Sequence, residues 1–141
     1  MKEYFSESYT EARTKFLEAT KDFEVESAQI RDDLYIDFAI KENKKKKLII
    51  LVSGTHGVEG YLGSAAQLLF IKEHLPNIKN TSIYLIHSLN PYGFKHDRRV
   101  NENNVDLNRN SIYDEKFMTV MPNLLVTNTM KDSLLFMKIN K

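Results

Sequence analysis

Residues 48–63, LIILVSGTHGVEGYLG, constrain the fold more than any other stretch of the chain. Residues 48–53 are almost wholly apolar and β-prone, the pattern of a strand buried on both faces. Gly54 breaks the run, and an apolar segment of helical period begins beyond the glycines that follow. A strand that turns at a glycine into a helix requires a sheet with helices packed on it. The turn then lies at the sheet's carboxyl edge, where open α/β sheets bind ligands.

The flanking segments read as parts of such a sheet. In residues 8–23, Tyr9, Ala12, Phe16, Ala19 and Phe23 recur at intervals of three or four, and Ser8 with Glu11 forms a capping-box pattern. This predicts an amphipathic packing helix without chemistry of its own. Residues 23–30 read as a first strand and Arg31, Asp32 and Asp33 as a polar turn. Leu34, Ile36, Phe38 and Ile40 then alternate with Tyr35, Asp37 and Ala39, which predicts a strand with one covered face, paired to the first as a hairpin. The basic run 41–47, KENKKKK, reads as a solvated turn that protects strand edges, in preference to an anion site.

A helix is expected over residues 61–74, stopped by Pro76, and an apolar strand over 81–88. Strand, helix and strand at this spacing form a βαβ unit. Asn90, Pro91, Tyr92 and Gly93 read as a turn, and residues 95–110 as a polar loop of the kind that carries function. Residues 111–141 show no firm periodicity and read as an atypical, poorly docked tail after a first unit spanning 1–110. The fold class is therefore α/β: a mixed sheet with an N-terminal helix and antiparallel hairpin, then parallel strands.

Composition limits the functions available. The chain has 141 residues, 42% hydrophobic and 28% charged, as expected of one soluble domain with a core. A net charge of +1 gives no broad pull toward nucleic acid or membrane. The absence of cysteine excludes disulfides and thiolate metal sites and suits a reducing compartment. The first residues are too polar for a secretory signal and no apolar run reaches membrane-spanning length, so a cytoplasmic location is expected.

Chemistry concentrates in two places. His56 and Glu59 form a His-x-x-Glu pattern, and the two side chains share a side if the backbone is turning into a helix. Zinc accepts such a pair and keeps positions open for a third ligand and water. The plainer reading is a helix start, with Glu59 answering the dipole and His56 capping. Gly54, Gly57, Gly60 and Gly63 do not form Gly-x-Gly-x-x-Gly, and neither a phosphate-binding Gly-Lys-Ser/Thr nor a Gly-x-Ser-x-Gly elbow is present. Further on, Arg98, Arg99, Asn108 and Arg109 surround Asp106. Arginine forks recognise carboxylates, and Asp106 is equally suited to holding a histidine in the tautomer a metal needs. The plainer alternative is a surface ion-pair loop. His74, His87 and His96 read as satisfied or solvent-facing imidazoles.

Three motifs occur in one order: GTHGVEG, then NPYGF, then RVNENNVDLNRN. Together they resemble the zinc carboxypeptidase superfamily of carboxypeptidase A type, which also holds the succinylglutamate desuccinylase and aspartoacylase branch. The likeness covers residues 53–110, with strands extending it back to about 23, and the N-terminal helix is most similar to an uncharacterised subgroup. The resemblance implies a phosphorylase/hydrolase-like core and a Zn2+ cofactor held by His56 and Glu59. It implies Asp106 as the carboxylate orienting the ligand histidine, and Asn108 and Arg109 as the grip on a substrate carboxylate. Arg99 corresponds to the arginine that polarises the scissile carbonyl, with Arg98 the less suited occupant.

The pattern then stops. The family's third zinc ligand is a later histidine, and no histidine follows His96. Its glutamate base lies later still, and Asp114, Glu115 and Asp132 are in no matching context. Ser111 stands where an aromatic residue is common. The resemblance thus implies a truncated core and low or no turnover in this chain alone. Three functions follow as expectations: a zinc-dependent carboxypeptidase-type hydrolase, an N-acyl amino acid deacylase, or a non-catalytic anion-binding remnant. The expected partner is a peptide or N-acyl amino acid with a free carboxylate.

Overall fold

The computed structural model describes residues 2–43 and 47–110. The strands β1 (Glu24–Arg31), β2 (Leu34–Lys41), β3 (Lys47–Val52) and β4 (Thr81–His87) form one sheet in the order β1-β2-β4-β3. The first two make the expected antiparallel hairpin, turning at Asp32, which takes the left-handed φ of 45° that aspartate tolerates. Strand β4 runs antiparallel to β2 and parallel to β3, so the sheet is mixed as expected.

Helix α1 (Tyr9–Ala19) starts where Ser8 Oγ accepts the Glu11 amide at 3.2 Å. The returning Glu11 carboxylate takes the amide of Glu7 at 2.8 Å, one residue before the cap. Helix α2 (Gly57–Leu69) begins before Tyr61, directly after the glycine turn, and continues through a π turn (Phe70–His74) and a 3-10 turn (Leu75–Asn77). Pro91 to Gly93 proves to be helical, with Asn90 as the cap: α3 (Pro91–Lys95) has proline in its first turn, and Asn90 Oδ1 accepts the Gly93 amide at 2.9 Å.

The helices cover one face of the sheet. Phe16 of α1 joins Ala39, Ile83 and Leu85, with Ile49, Leu51 and Phe70 packed around them. Gln67 on α2 ties that helix to the strands by donating to the carbonyls of Leu51 and Ile86 and accepting from Ser53.

Two strand expectations need correction. Strand β2 lies between β1 and β4 and is buried on both faces, with Ile36 and Asp37 only 3% and 0% exposed. Alternation predicted one covered face because Asp37 and Ala39 read as outward positions, whereas Asp37 is buried with Arg13 as its partner. Strand β3 shows the reverse. Predicted to be buried on both faces, it is an edge strand among the described residues, and Leu48, Ile50 and Val52 remain 38%, 46% and 48% exposed. The basic run at 44–46 and the expected tail at 111–141 lie outside the described residues. Among the described residues no helix is long and apolar enough to cross a membrane.

Candidate functional site

Strand β3 delivers its carboxyl end to the site through a pinned turn. The Ser53 amide donates to Ile86 at 2.9 Å, and the Leu89 and Asn90 amides donate to Ser53 and Gly54 at 2.9 and 2.8 Å. Gly54 takes φ +68°, and a Cβ there would lie 2.8 Å from the Ser88 backbone. The chain then enters α2 with His56 at the N-cap position, but the imidazole makes no capping hydrogen bond. The Gly57 amide is satisfied instead by the Arg98 carbonyl at 2.9 Å. This contact presses the polar loop against the helix start so closely that a Cβ on Gly57 would meet Gly93 O and the Arg98 amide.

That loop brings Asp106 to His56. Within it, Asn101 Oδ1 accepts the amides of Asn103 and Val105, and Asn104 takes a left-handed φ of 61°. Asn101 is a residue the sequence reading gave no role; only its place in an Asn-rich loop pointed to local backbone hydrogen bonding. Asp106 then caps the 3-10 turn Leu107–Arg109 by accepting the Asn108 amide at 2.9 Å. The same oxygen lies 3.0 Å from His56 Nε2, and the other oxygen accepts Arg99 Nε at 2.7 Å. The His56 hydrogen bond first, and Arg99 with it, holds the Asp106 carboxyl well below the usual carboxylate range. An ionised acceptor at Nε2 places the imidazole proton there and leaves the lone pair of neutral His56 on Nδ1.

Nδ1 faces Glu59, whose Oε1 is 3.8 Å away. Two ligands on one tetrahedral zinc, each at ordinary bond length, are roughly 3.4 Å apart. The Glu59 side chain is 74% exposed, so a small rotation closes the difference. The pair therefore fits two positions of a zinc ion. Among the described residues no group of three or more His, Cys, Asp or Glu converges as a metal site, so the third protein ligand of a catalytic zinc is not supplied there.

The other predicted residues lie around this pair with unequal engagement. Arg99 is bound to Asp106 and remains 59% exposed. Arg98 contributes its backbone to the helix start, and its side chain is exposed. Asn108 and Arg109 sit on the 3-10 turn beside Asp106, both exposed.

A second polar constellation escaped the sequence reading. Arg13 binds both oxygens of Asp37 at 2.8 and 3.0 Å, and Ser27 donates to the same carboxylate at 2.5 Å. His87 Nδ1 lies 4.0 Å from Asp37, and Nε2 lies 3.0 Å from Ser64 Oγ. Ser64, His87 and Asp37 are all buried, and burial lowers the His87 pKa to about 4. Spacing gave no warning, since the five residues come from five different elements.

A family model described as "Protein of unknown function (DUF2817)" matches residues 5–138. The match extends past both ends of the three motifs, taking in the N-terminal helix and residues 111–138. No curated protein matches the chain.

Proposed function

Since the chain belongs to the DUF2817 family, we propose that it carries the metal-holding and carboxylate-gripping part of a zinc-dependent hydrolase of carboxypeptidase type. The substrate class is a peptide or N-acyl amino acid with a free carboxylate. One observation carries this reading: Asp106 fixes His56 through Nε2 and turns Nδ1 toward Glu59. A helix start needs neither the carboxylate behind the ring nor the bare nitrogen in front of it.

In this reading His56 and Glu59 hold the zinc, which when bound acidifies a water and polarises a carbonyl. Asp106 keeps the His56 ring in the ligating tautomer and orientation. Arg99 is bound to Asp106 through Nε and stays exposed, which suits it to polarise the scissile carbonyl. Asn108 and Arg109 receive the substrate carboxylate, for which a guanidinium fork is the suited donor.

The donor count favours a second reading, a non-catalytic anion-binding module around the same arginines. Zinc titration of the full chain separates the two. The hydrolase reading expects one zinc per chain, lost in His56→Ala and in Glu59→Ala. Peptides with a free C-terminus and N-acyl amino acids, offered in parallel, then separate carboxypeptidase from deacylase activity. If no zinc binds and chelator leaves the melting temperature unchanged, the hydrolase reading fails and the anion-binding one stands.

A further inference from the structure

Asp37 is a buried carboxylate with two basic neighbours, and it is hydrogen-bonded to one of them. Arg13 of α1 holds both of its oxygens, at 2.8 and 3.0 Å. His87 of β4 stands opposite Asp37 in the sheet register and brings Nδ1 to 4.0 Å from Oδ2, the oxygen that accepts Arg13 Nε. Among the described residues this buried Nδ1 has no hydrogen-bond partner. The rest of the ring is engaged. Nε2 meets Ser64 Oγ of α2 at 3.0 Å, one face stacks on Phe16 of α1, and the Phe94 ring of α3 has its centroid 5.9 Å away. Asp37 and Arg13 are thus the charged groups that face His87 among the described residues, and the remaining contacts are a hydroxyl and two aromatic rings.

A neutral His87 suits this arrangement and a protonated one does not. Ser64 Oγ can accept from Nε2–H, but Nδ1–H then needs an acceptor and the buried charge needs a counterion. The carboxylate within reach is Asp37, whose nearer oxygen Arg13 occupies. Arg13 has another place to go. Its side chain is 23% exposed and lines a surface cavity of about 260 Å³ together with Tyr35, Asp32 and Asp33. The guanidinium already lies 3.9 Å from the centroid of the Tyr35 ring, and Asp32 is exposed, with its neighbour Arg31 at 3.3 Å. We propose that Asp37 exchanges partners when His87 takes up a proton: the carboxylate turns to His87 Nδ1, and Arg13 swings out into the cavity toward Asp32 and Asp33. The exchange unties α1 from β2 at this point and leaves the Phe16 packing in place, so α1 carries a proton-gated tie to the sheet. It belongs to acid conditions, because burial lowers the His87 pKa to about 4, with Asp37 raising it and Arg13 lowering it. Neither His56 nor Glu59 takes part, so the exchange stands or falls apart from the zinc reading.

Nitrogen-15 spectra of the Arg13 side chain and the His87 ring, recorded on the full chain from about pH 7 to about pH 3.5, test the exchange. At neutral pH the Arg13 Nε–H signal is expected to be shifted and slow to exchange with water, as a hydrogen bond to a buried carboxylate requires. As His87 Nδ1 gains its proton, that signal moves to the position of a solvated guanidinium with the same midpoint, while the backbone amide spectrum stays dispersed. Arg13→Gln removes the competing cation, and His87 then titrates ~1 pH unit or more higher. An Arg13 signal that stays in place while His87 protonates overturns the inference. So does a His87 that titrates only as the amide spectrum collapses, which is unfolding in place of exchange, and so does an unmoved His87 midpoint in folded Arg13→Gln. If Arg13→Gln does not fold, the titration of the unmodified chain decides alone.

Discussion

The chain holds two clusters made of the same residue types, and they differ in where those residues sit. Under the helices, Asp37, His87 and Ser64 are buried, with the partly buried Arg13 and the exposed Ser27 reaching Asp37 from the rim. At the carboxyl edge, Arg99, Asp106 and His56 repeat the arginine, carboxylate and imidazole at a site that opens to solvent, with Arg99 exposed and the other two partly covered. In the interior, His87 stacks on Phe16 with ring centroids 4.5 Å apart and no solvent at either nitrogen. At the edge, His56 has its back nitrogen held and its front nitrogen facing Glu59. The first arrangement joins α1, the sheet and α2. The second leaves a lone pair available for a ligand. Residue type alone does not separate structure from chemistry; access to the second imidazole nitrogen does.

The strongest way to break this distinction is to remove each carboxylate. Asp37→Ala strands the Arg13 guanidinium beside a buried site and should cost about 3–5 kcal/mol in urea unfolding. Asp106→Ala should cost less, about 1–2 kcal/mol, because Arg99 is left solvated and His56 keeps partial access to water, yet weaken zinc binding ~10–100-fold. Equal stability losses at the two positions would abolish the contrast.

The next effect is on pH dependence. His87 stays neutral in the fold down to about pH 4, whereas the same side chain in the unfolded protein binds a proton below its ordinary pKa of 6.5. The unfolded state therefore holds more protons in that window. Stability should be complete above pH 6.5 and fall by about 3 kcal/mol as pH drops toward 4. Urea midpoints across that range check the slope, and His87→Gln should flatten it.

Smaller effects sharpen the account of the edge site. Gly57→Ala should destabilise by about 1–3 kcal/mol, since the Cβ meets two backbone atoms that are themselves hydrogen-bonded to each other. Glu59→Gln should leave stability within about 0.5 kcal/mol, the side chain being exposed, while reducing zinc uptake in a titration.

Much of this fold was legible because local pattern and final environment agree. The stripe through Tyr9, Ala12 and Phe16 became the buried face of α1, and the glycine turn after Val52 became the entry to α2. The edge cluster was legible for a similar reason: His56 and Glu59 are one helical turn apart, and Asp106 and Arg99 share one loop. The sheet order was less accessible. Whether an apolar run ends inside a sheet or at its margin depends on which strands flank it, and β2 and β3 exchanged their expected burial for that reason. The Arg13–Asp37–His87 cluster was illegible because its members meet only after α1, β2 and β4 have packed.

The central claim is that Asp106 prepares His56 to ligate through Nδ1. Nitrogen-15 spectra of the four imidazoles, recorded while zinc is added to the full chain, test it directly. The account predicts that His56 Nδ1 alone shifts to a metal-bound position while Nε2 keeps its proton, and that the shift disappears in Glu59→Ala. Zinc that perturbs His74 or His96 and leaves His56 unchanged would contradict it.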